Sequence, residues 1–333
     1  MSMQVPIEIG VVLYPDVQMA AVFGLSDLFL LANKVASQRD NNVPILRVSH
    51  WKLKDEDNTL IRVYDSHPAK TSLPNVLIVP PSLAQPISSE HAQCYVNCLV
   101  DFHQGGAILA SVCAGAFLLV ETGLLAGRTM TTHWLYAEEF AKRFPDVSQD
   151  IDQLIIDNGD ILSAGGVMAW TDLGLRLVDR YLGAAVMIDT AQILLIDPPG
   201  QRQQRYYSAF VPRLSHGDEA ILAVQNYLEE KGGVNVTLDE MAAYVHMQPR
   251  TFLRRFRKAT GMTTTDYTQR LRVGRAREML QNTVDPIETV AWQVGYSDPG
   301  AFRKVFTRIV GLTPSDYRHR FNSSMTDNTV LNH

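Results

Sequence analysis

The chain has 333 residues, 46% of them hydrophobic and 20% charged, a composition of globular protein rather than disorder or low complexity. At roughly 100–200 residues per domain, that length predicts two domains or slightly more. Three cysteines (Cys94, Cys98, Cys113) are too few, and odd in number, for a disulfide framework. The N-terminus has no basic-then-apolar signal, and apolar runs such as Ala116 to Val120 fall short of the roughly 18–20 residues of a membrane span. The expectation is a cytoplasmic protein without a membrane partner. The net charge of −5 hides an asymmetry: residues 250–320 hold 14 Lys/Arg against 6 Asp/Glu, and residues 1–249 hold 16 against 28. An acidic body with a basic C-terminal block suggests a sensor or enzyme attached to a nucleic-acid binder; the alternative is a solvated basic face.

In chain order, Ile7 to Tyr14 reads as a short buried strand and Met19 to Ser37 as a helix with an apolar face. Ile45 to Trp51 and Val76 to Pro80 read as strands, Ser89 to Gln104 as a helix, Ala107 to Val112 as a strand, and a further helix starts just after Cys113. Asn158-Gly159 predicts a type I′ hairpin turn. Helices at Trp170 to Leu182 and Ala184 to Leu195 close the region. Strands alternating with helices predict a mostly parallel, flavodoxin-like α/β sheet covered on both faces. The polar stretch that opens with Pro198, Pro199 and Gly200 predicts a linker, placed at 198–217. Beyond it every element reads as helix, and the domains are expected at 1–197 and 218–321, with 322–333 a flexible tail.

The basic block repeats itself. Phe256, Gly261 and Tyr267 recur as Phe306, Gly311 and Tyr317 at an offset of 50, and Leu238, Met241, Ala242 and Val245 recur as Ile287, Val290, Ala291 and Val294 at an offset of 49. The extra residue falls in a turn, where His246 to Pro249 faces Gly295 to Pro299. Each copy is a short helix, a turn, and a second helix opened by Pro at its first position, where the missing N–H costs little. That is the helix-turn-helix pattern, here at about 237–260 and 286–310. Arg250, Arg254 and Arg257 turn away from Phe252 and Phe256 in the first copy, while Arg303 and Lys304 project opposite Phe302 and Phe306 in the second. Gly300 and Ala301 leave the front of that helix small. Thr263 to Leu280 reads as one long helix joining the copies, with Val273, Ala276 and Leu280 toward the core.

With its pattern GYSDPGAFRKVFTRIVGLTPSDYR and the weaker copy before it, the region from about Asp218 to Phe321 resembles the AraC/XylS family of transcription regulators. In that family two helix-turn-helix units joined by a long helix enter successive major grooves. The resemblance implies groove-facing positions at Arg250, Leu253 and Arg254, and at Pro299, Gly300, Arg303 and Lys304. Arg bidentate to guanine is the commonest specific contact, which makes Arg250 and Arg254 the leading base readers. Arg257, Lys258 and Arg308 are assigned to phosphate. One departure is His246, where the family often has a turn glycine.

Ala107 to Leu119 reads as a strand, a small-residue turn holding Cys113, and a helix, the elbow that exposes a nucleophile in enzymes. With Gly123 to Trp134 it resembles the DJ-1/PfpI branch of the class I glutamine-amidotransferase-like superfamily, over roughly residues 5–195. The catalytic partners that the family supplies are missing: Ala114 follows the cysteine where proteases have His, and Met19, Ala20 and Ala21 stand where redox-active members have an acidic residue. His133 is the remaining candidate partner, or it caps the helix running into Trp134. The combination resembles GlxA-type regulators, which implies sensing and dimerisation by the first domain and a small-molecule effector, such as an amino acid or a quaternary amine. The expected ligand residues are Tyr14, Cys113, Ala114, Phe117, His133 and Trp134. An aromatic cage drawing on Tyr14, Phe117, Trp134 and Trp170 competes with ordinary core packing. His91, Cys94 and Cys98 share a helix face but lack a fourth metal ligand; neither metal nor cofactor is expected. The partners expected are double-stranded DNA, the effector, a second copy of the chain, and RNA polymerase if the output is activation. The competing reading is a cysteine-dependent amidase or glyoxalase-like enzyme with secondary DNA binding.

Overall fold

The computed structural model describes residues 5–39, 43–54, 58–68, 73–199, 210, 212–214 and 216–322. It divides into two compact units, Met1–Gln204 and Arg205–His333. Most of the expected linker and all of the tail beyond Asn322 lie outside the described residues.

The first unit is built on a sheet of β1 (Ile7–Leu13), β2 (Leu46–Leu53), β3 (Leu60–Asp65), β4 (Val76–Val79), β5 (Ile108–Val112), β8 (Ile155–Asp157) and β9 (Ile161–Ala164). Its strand order is β3-β2-β1-β4-β5-β9-β8. The five inner strands run parallel, and β3 and β8 pair antiparallel at the two edges. Alternation assigns the strand residues to two cores. Ile9, Val11, Val76, Ile78, Ala110 and Val112 pack toward α1 (Met19–Arg39), α5 (Trp170–Leu182) and α6 (Ala184–Leu194). Val12, Leu77, Val79 and Leu109 pack toward α2 (Ser89–Gln104), α3 (Gly115–Val120) and α4 (Ala137–Arg143). A two-stranded parallel pair, β6 (Thr129–Met130) with β7 (Ser148–Gln149), completes the unit.

The order β2-β1-β4-β5-β9 is the doubly wound arrangement expected from sequence, with its switch point between β1 and β4. Three details differ from expectation. The edge strand β3 went unread, because its exposure pattern leaves only Leu60 buried. The hairpin turn centres one residue later: Asn158 N–H donates to the Ile161 carbonyl, and positive φ falls on Gly159, the first central residue, as in a II′ rather than a I′ turn. And α1 is long and apolar enough to cross a membrane by length and composition, although half of that stretch is buried against the sheet and neighbouring helices.

The second unit is helical: α7 (Glu219–Lys231), α8 (Leu238–Tyr244), α9 (Pro249–Thr260), α10 (Thr264–Asn282), α11 (Ile287–Gln293), α12 (Pro299–Val310) and α13 (Pro314–Phe321). It has two cores. One gathers α7, α8, α9 and the start of α10, and the other gathers the end of α10 with α11, α12 and α13. Asn322 is the one residue of the expected tail among those described. Asn322 is buried, and its amide donates to the Leu280 and Thr283 carbonyls, closing the end of α10.

Candidate nucleic-acid interface and elbow site

The internal duplication is a duplication of hydrogen bonds as well as of residues. At the first turn His246 N–H donates to the Ala243 carbonyl and Met247 N–H to that of Ala242; at the second, Gly295 N–H donates to Trp292 and Tyr296 N–H to Ala291. Gly261 and Gly311 each end the recognition helix in the left-handed region. Thr263 and Thr313 then cap the helix that follows, each accepting from the N–H of Asp266 or Asp316 at 3.1 Å. Beneath each recognition helix lies a chain of three rings. Phe252, Phe256 and Tyr267 meet at centroid spacings of 5.5 and 5.3 Å, and Phe302, Phe306 and Tyr317 at 5.6 and 5.6 Å. Both tyrosines are buried and their hydroxyls accept hydrogen bonds, Tyr267 from the Gln225 amide and Tyr317 from the Arg277 guanidinium and the Gln281 amide. Burial pushes the Tyr267 hydroxyl up to about 12.

With the aromatic face buried, the opposite face of α9 is left to solvent: Arg250, Leu253, Arg254, Arg257 and Lys258 are all exposed. No ion pair among the described residues holds Arg250, Arg254 or Arg257, whereas Arg255, on the flank, is tied to Asp218 at 2.7 Å. On α12, Arg303, Lys304 and Arg308 are exposed. Arg303 bonds Glu288 of α11, and Arg308 donates to Gln269 of α10 at 2.5 Å. Pro299 and Gly300 lie in the first turn of α12, where Asp298 accepts from the N–H groups of Gly300 and Ala301.

In the other unit Cys113 follows β5 in a left-handed conformation (φ 54°), a strain of about 1–3 kcal/mol for a non-glycine residue. The fold enforces it from both sides: Cys113 N–H donates to the Ala164 carbonyl, and the Cys113 carbonyl accepts from Thr132 Oγ1. Gly115 is required beside it, since a Cβ there would stand 2.5 Å from the Val79 carbonyl oxygen. The geometry is that of a nucleophile elbow, but the thiol is buried and burial pushes it up to about 11. Tyr14, just past β1, donates to the Pro80 carbonyl at 2.6 Å and so bridges the ends of β1 and β4, the switch point. Its hydroxyl is held far above the ordinary tyrosine range, first by burial and then by Cys113, Tyr95 and Tyr136.

Residues 241–320 match the family described as Helix-turn-helix domain, and residues 48–180 match the DJ-1/PfpI family. The chain joins a DJ-1/PfpI domain to an AraC-type helix-turn-helix domain. It is 29% identical over 221 residues to the HTH-type transcriptional regulator ArgR of Pseudomonas aeruginosa, covering 65% of this chain and 66% of that protein. It is also 29% identical over 230 residues to the HTH-type transcriptional regulator GlxA of Rhizobium meliloti, covering 66% of this chain and 67% of that protein. The chain thus spans about two thirds of the length of the curated relatives it matches. A solved AraC family transcriptional regulator from Pseudomonas putida superposes with a TM-score of 0.43 at 20% identity, over 57% of this chain and 100% of that one.

Within the DJ-1/PfpI unit the expected ligand residues separate. Tyr14, Cys113 and Ala114 meet at the carboxyl edge of the sheet, all buried. His133 Nδ1 accepts from Leu135 N–H at 3.1 Å and caps a short 3₁₀ turn at Trp134–Tyr136, so it is committed to the backbone. Its ring lies 5.4 Å from that of Trp134, and burial holds its pKa below the ordinary histidine value. Phe117 is fully buried, as Cys113 and Ala114 are, with its ring edge-on to Phe140, Phe144 and Tyr136. No four-ring cage forms from the aromatic candidates, because Phe117 and Tyr14 pack in one core while Trp170 packs against the other, covering Gly24 of α1. His91 is exposed, and the Cys98 thiol donates to the Asn58 carbonyl. Two residues escaped the sequence reading. The Tyr136 hydroxyl is pushed above its ordinary value, first by burial and then by Cys113, and Gln18 is buried at the start of α1 with its Oε1 unpartnered among the described residues. Only the polarity of Gln18 at the mouth of an otherwise apolar helix could have signalled it.

Proposed function

We propose that this chain is a sequence-specific DNA-binding transcription regulator controlled by a small molecule. The observation that carries the reading is the duplicated helix-turn-helix, which presents Arg250, Arg254 and Arg257 on the exposed face of α9 without carboxylate partners among the described residues. Residues 218–321 read DNA through α9 and α12, with Arg250 and Arg254 on base edges, Leu253 against a thymine methyl, and Pro299, Gly300, Arg303 and Lys304 approaching the second groove. Arg257, Lys258 and Arg308 contact phosphate. Residues 1–197 bind the effector and pair two copies of the chain, with 198–217 as the linker. The effector, an amino acid or a quaternary amine, sits at the switch-point edge beside Tyr14, Cys113, Ala114, His133 and Trp134. The protein works in the cytoplasm, and RNA polymerase is its further partner if the output is activation.

A cysteine-dependent activity is disfavoured by the same site. The thiolate is the reactive form, and a thiol titrating at about 11 is almost wholly protonated at neutral pH. The His133 imidazole, the expected partner, accepts from the Leu135 N–H as a backbone cap. As a test, an operator selected from a random duplex pool is titrated by gel shift with the unaltered chain and Arg254→Ala. The substitution is expected to cost about 1–3 kcal/mol and relax preference at one base pair. Unchanged affinity would remove Arg254 from the reader.

A further inference from the structure

The carboxyl edge of the first unit's sheet holds a polar group that the fold leaves unused. Gln18 directly precedes α1 and is only 7% exposed. Its backbone is fixed on both sides: the N–H donates to the Pro81 carbonyl at 2.7 Å, and the carbonyl accepts from the Ala21 and Val22 N–H groups at 2.9 and 3.2 Å. A bridge between Val17 and Ser82 ties the same turn to the segment that follows β4. The side chain therefore starts from a set position. Its amide Nε2 donates to the Met168 thioether at 3.9 Å, a weak acceptor, and its Oε1 has no partner among the described residues. A buried acceptor left unpaired costs free energy until a donor reaches it.

The surroundings decide which donor fits. Met168 is 57% exposed, so the amide lies one side chain beneath the surface, and that side chain is a flexible thioether able to yield its place. The contact links the segments that follow β1 and β9, and the ends of β4 and β5, with Pro80 and Cys113, lie between those strands in the sheet. Met19 and Leu83 are also exposed, and Leu83 is held to the turn before Gln18 by its N–H bond to the Asp16 carbonyl. The rim is thus apolar and suits an apolar body on the ligand. Across residues 14–19, 80–84, 113–115, 131–136 and 164–170, which make up this edge, the only Lys, Arg, Asp or Glu is Asp16. No side-chain cation in these segments repels a cationic head or pairs with an anionic one. A hydrogen bond from an ionised N–H is roughly twice as strong as a neutral one, and a quaternary amine has no hydrogen to give. We infer that Gln18 Oε1 accepts an N–H of the effector, whose head is a protonated amine or guanidinium that keeps its hydrogens. The inference rests on the effector reading above and narrows it: of the two classes, it selects the amino acid over the quaternary amine.

The test is ligand binding by the full chain to matched amines at fixed ionic strength: glycine with trimethylglycine, ethanolamine with choline, and butylamine with butyltrimethylammonium. Thermal melts and isothermal titration calorimetry are read for the unaltered protein, for Gln18→Met, which keeps the length and removes the acceptor, and for Gln18→Glu, which keeps an acceptor. Circular dichroism confirms that each variant is folded. The expected result is saturable stabilisation of the unaltered chain by an unmethylated member, with its trimethyl counterpart binding at least about tenfold more weakly. Gln18→Met should lose affinity for the unmethylated member by a similar factor while melting no lower than the unaltered chain without ligand, and Gln18→Glu should retain the binding. Equal or tighter binding of the trimethyl members would overturn this inference and leave the effector reading standing, and that comparison needs no variant. Undiminished affinity in folded Gln18→Met would do the same, and would leave the Gln18 acceptor to water. Absence of binding by every amine to the unaltered chain would overturn both readings.

Discussion

In the first helix-turn-helix copy the support helix α8 carries a full capping box, Thr237 with Glu240, and the recognition helix α9 has no side-chain cap. In the second copy the arrangement is reversed. Pro286 leaves α11 without a side-chain cap, and Asp298 caps α12 with two hydrogen bonds. The difference lies in residue type at one position, since Asp298 stands directly before the proline where the first copy has Gln248. The turns differ as well: Gly295 takes the left-handed position at φ 85°, and His246 takes the same position at φ 53° with a side chain to accommodate. Finally, Arg303 is held by Glu288, while its partner position in α9 is Leu253. The second copy is therefore better tied to itself, and the first leaves more of its charge free for a partner.

That comparison can be broken at several levels. If the ring stacks are equivalent supports, Phe256→Ala and Phe306→Ala should each cost about 3–5 kcal/mol in urea denaturation. A large inequality would show that one core carries the unit. The reversed capping predicts that Asp298→Ala loses about 0.5–2 kcal/mol, whereas Gln248→Ala stays within about 0.5 kcal/mol. Equal losses would mean that the caps do not distinguish the copies. The turns distinguish the copies as well. Gly295→Ala should cost about 1–2 kcal/mol, because φ is positive and the new Cβ would stand 3.0 Å from Val234 Cγ1. His246→Gly should gain up to about 1 kcal/mol in the same urea denaturation. A loss at His246→Gly would show that the imidazole supports its turn.

Much of this was legible because periodicity and repetition are written in one dimension. The alternation of Ile9, Val11, Val76 and Ile78 with Val12, Leu77 and Val79 declares a sheet buried on both faces. The offsets of 49 and 50 declare the duplicated reader down to the residue inserted in the turn. Edge strands hide, since β3 is largely exposed and needs only Leu60 in the core. Polar pairs hide as well. Glu288 and Arg303 are fifteen residues apart and meet only because the turn folds α11 back on α12. At the elbow, the sequence marked Cys113 and the missing partners. It did not show that Phe117 would be turned wholly into the core, because a helix that follows an elbow has a pocket side and a core side, and a ring suits either.

The central claim, that both copies read DNA and do so together, is tested most directly by hydroxyl-radical footprinting on a duplex selected from a random pool. Two protected patches on one face of the duplex, their centres about 10 base pairs apart, are expected, with Arg254→Ala weakening the patch under α9 alone. A single patch that is unaffected by changes in either recognition helix would contradict the account.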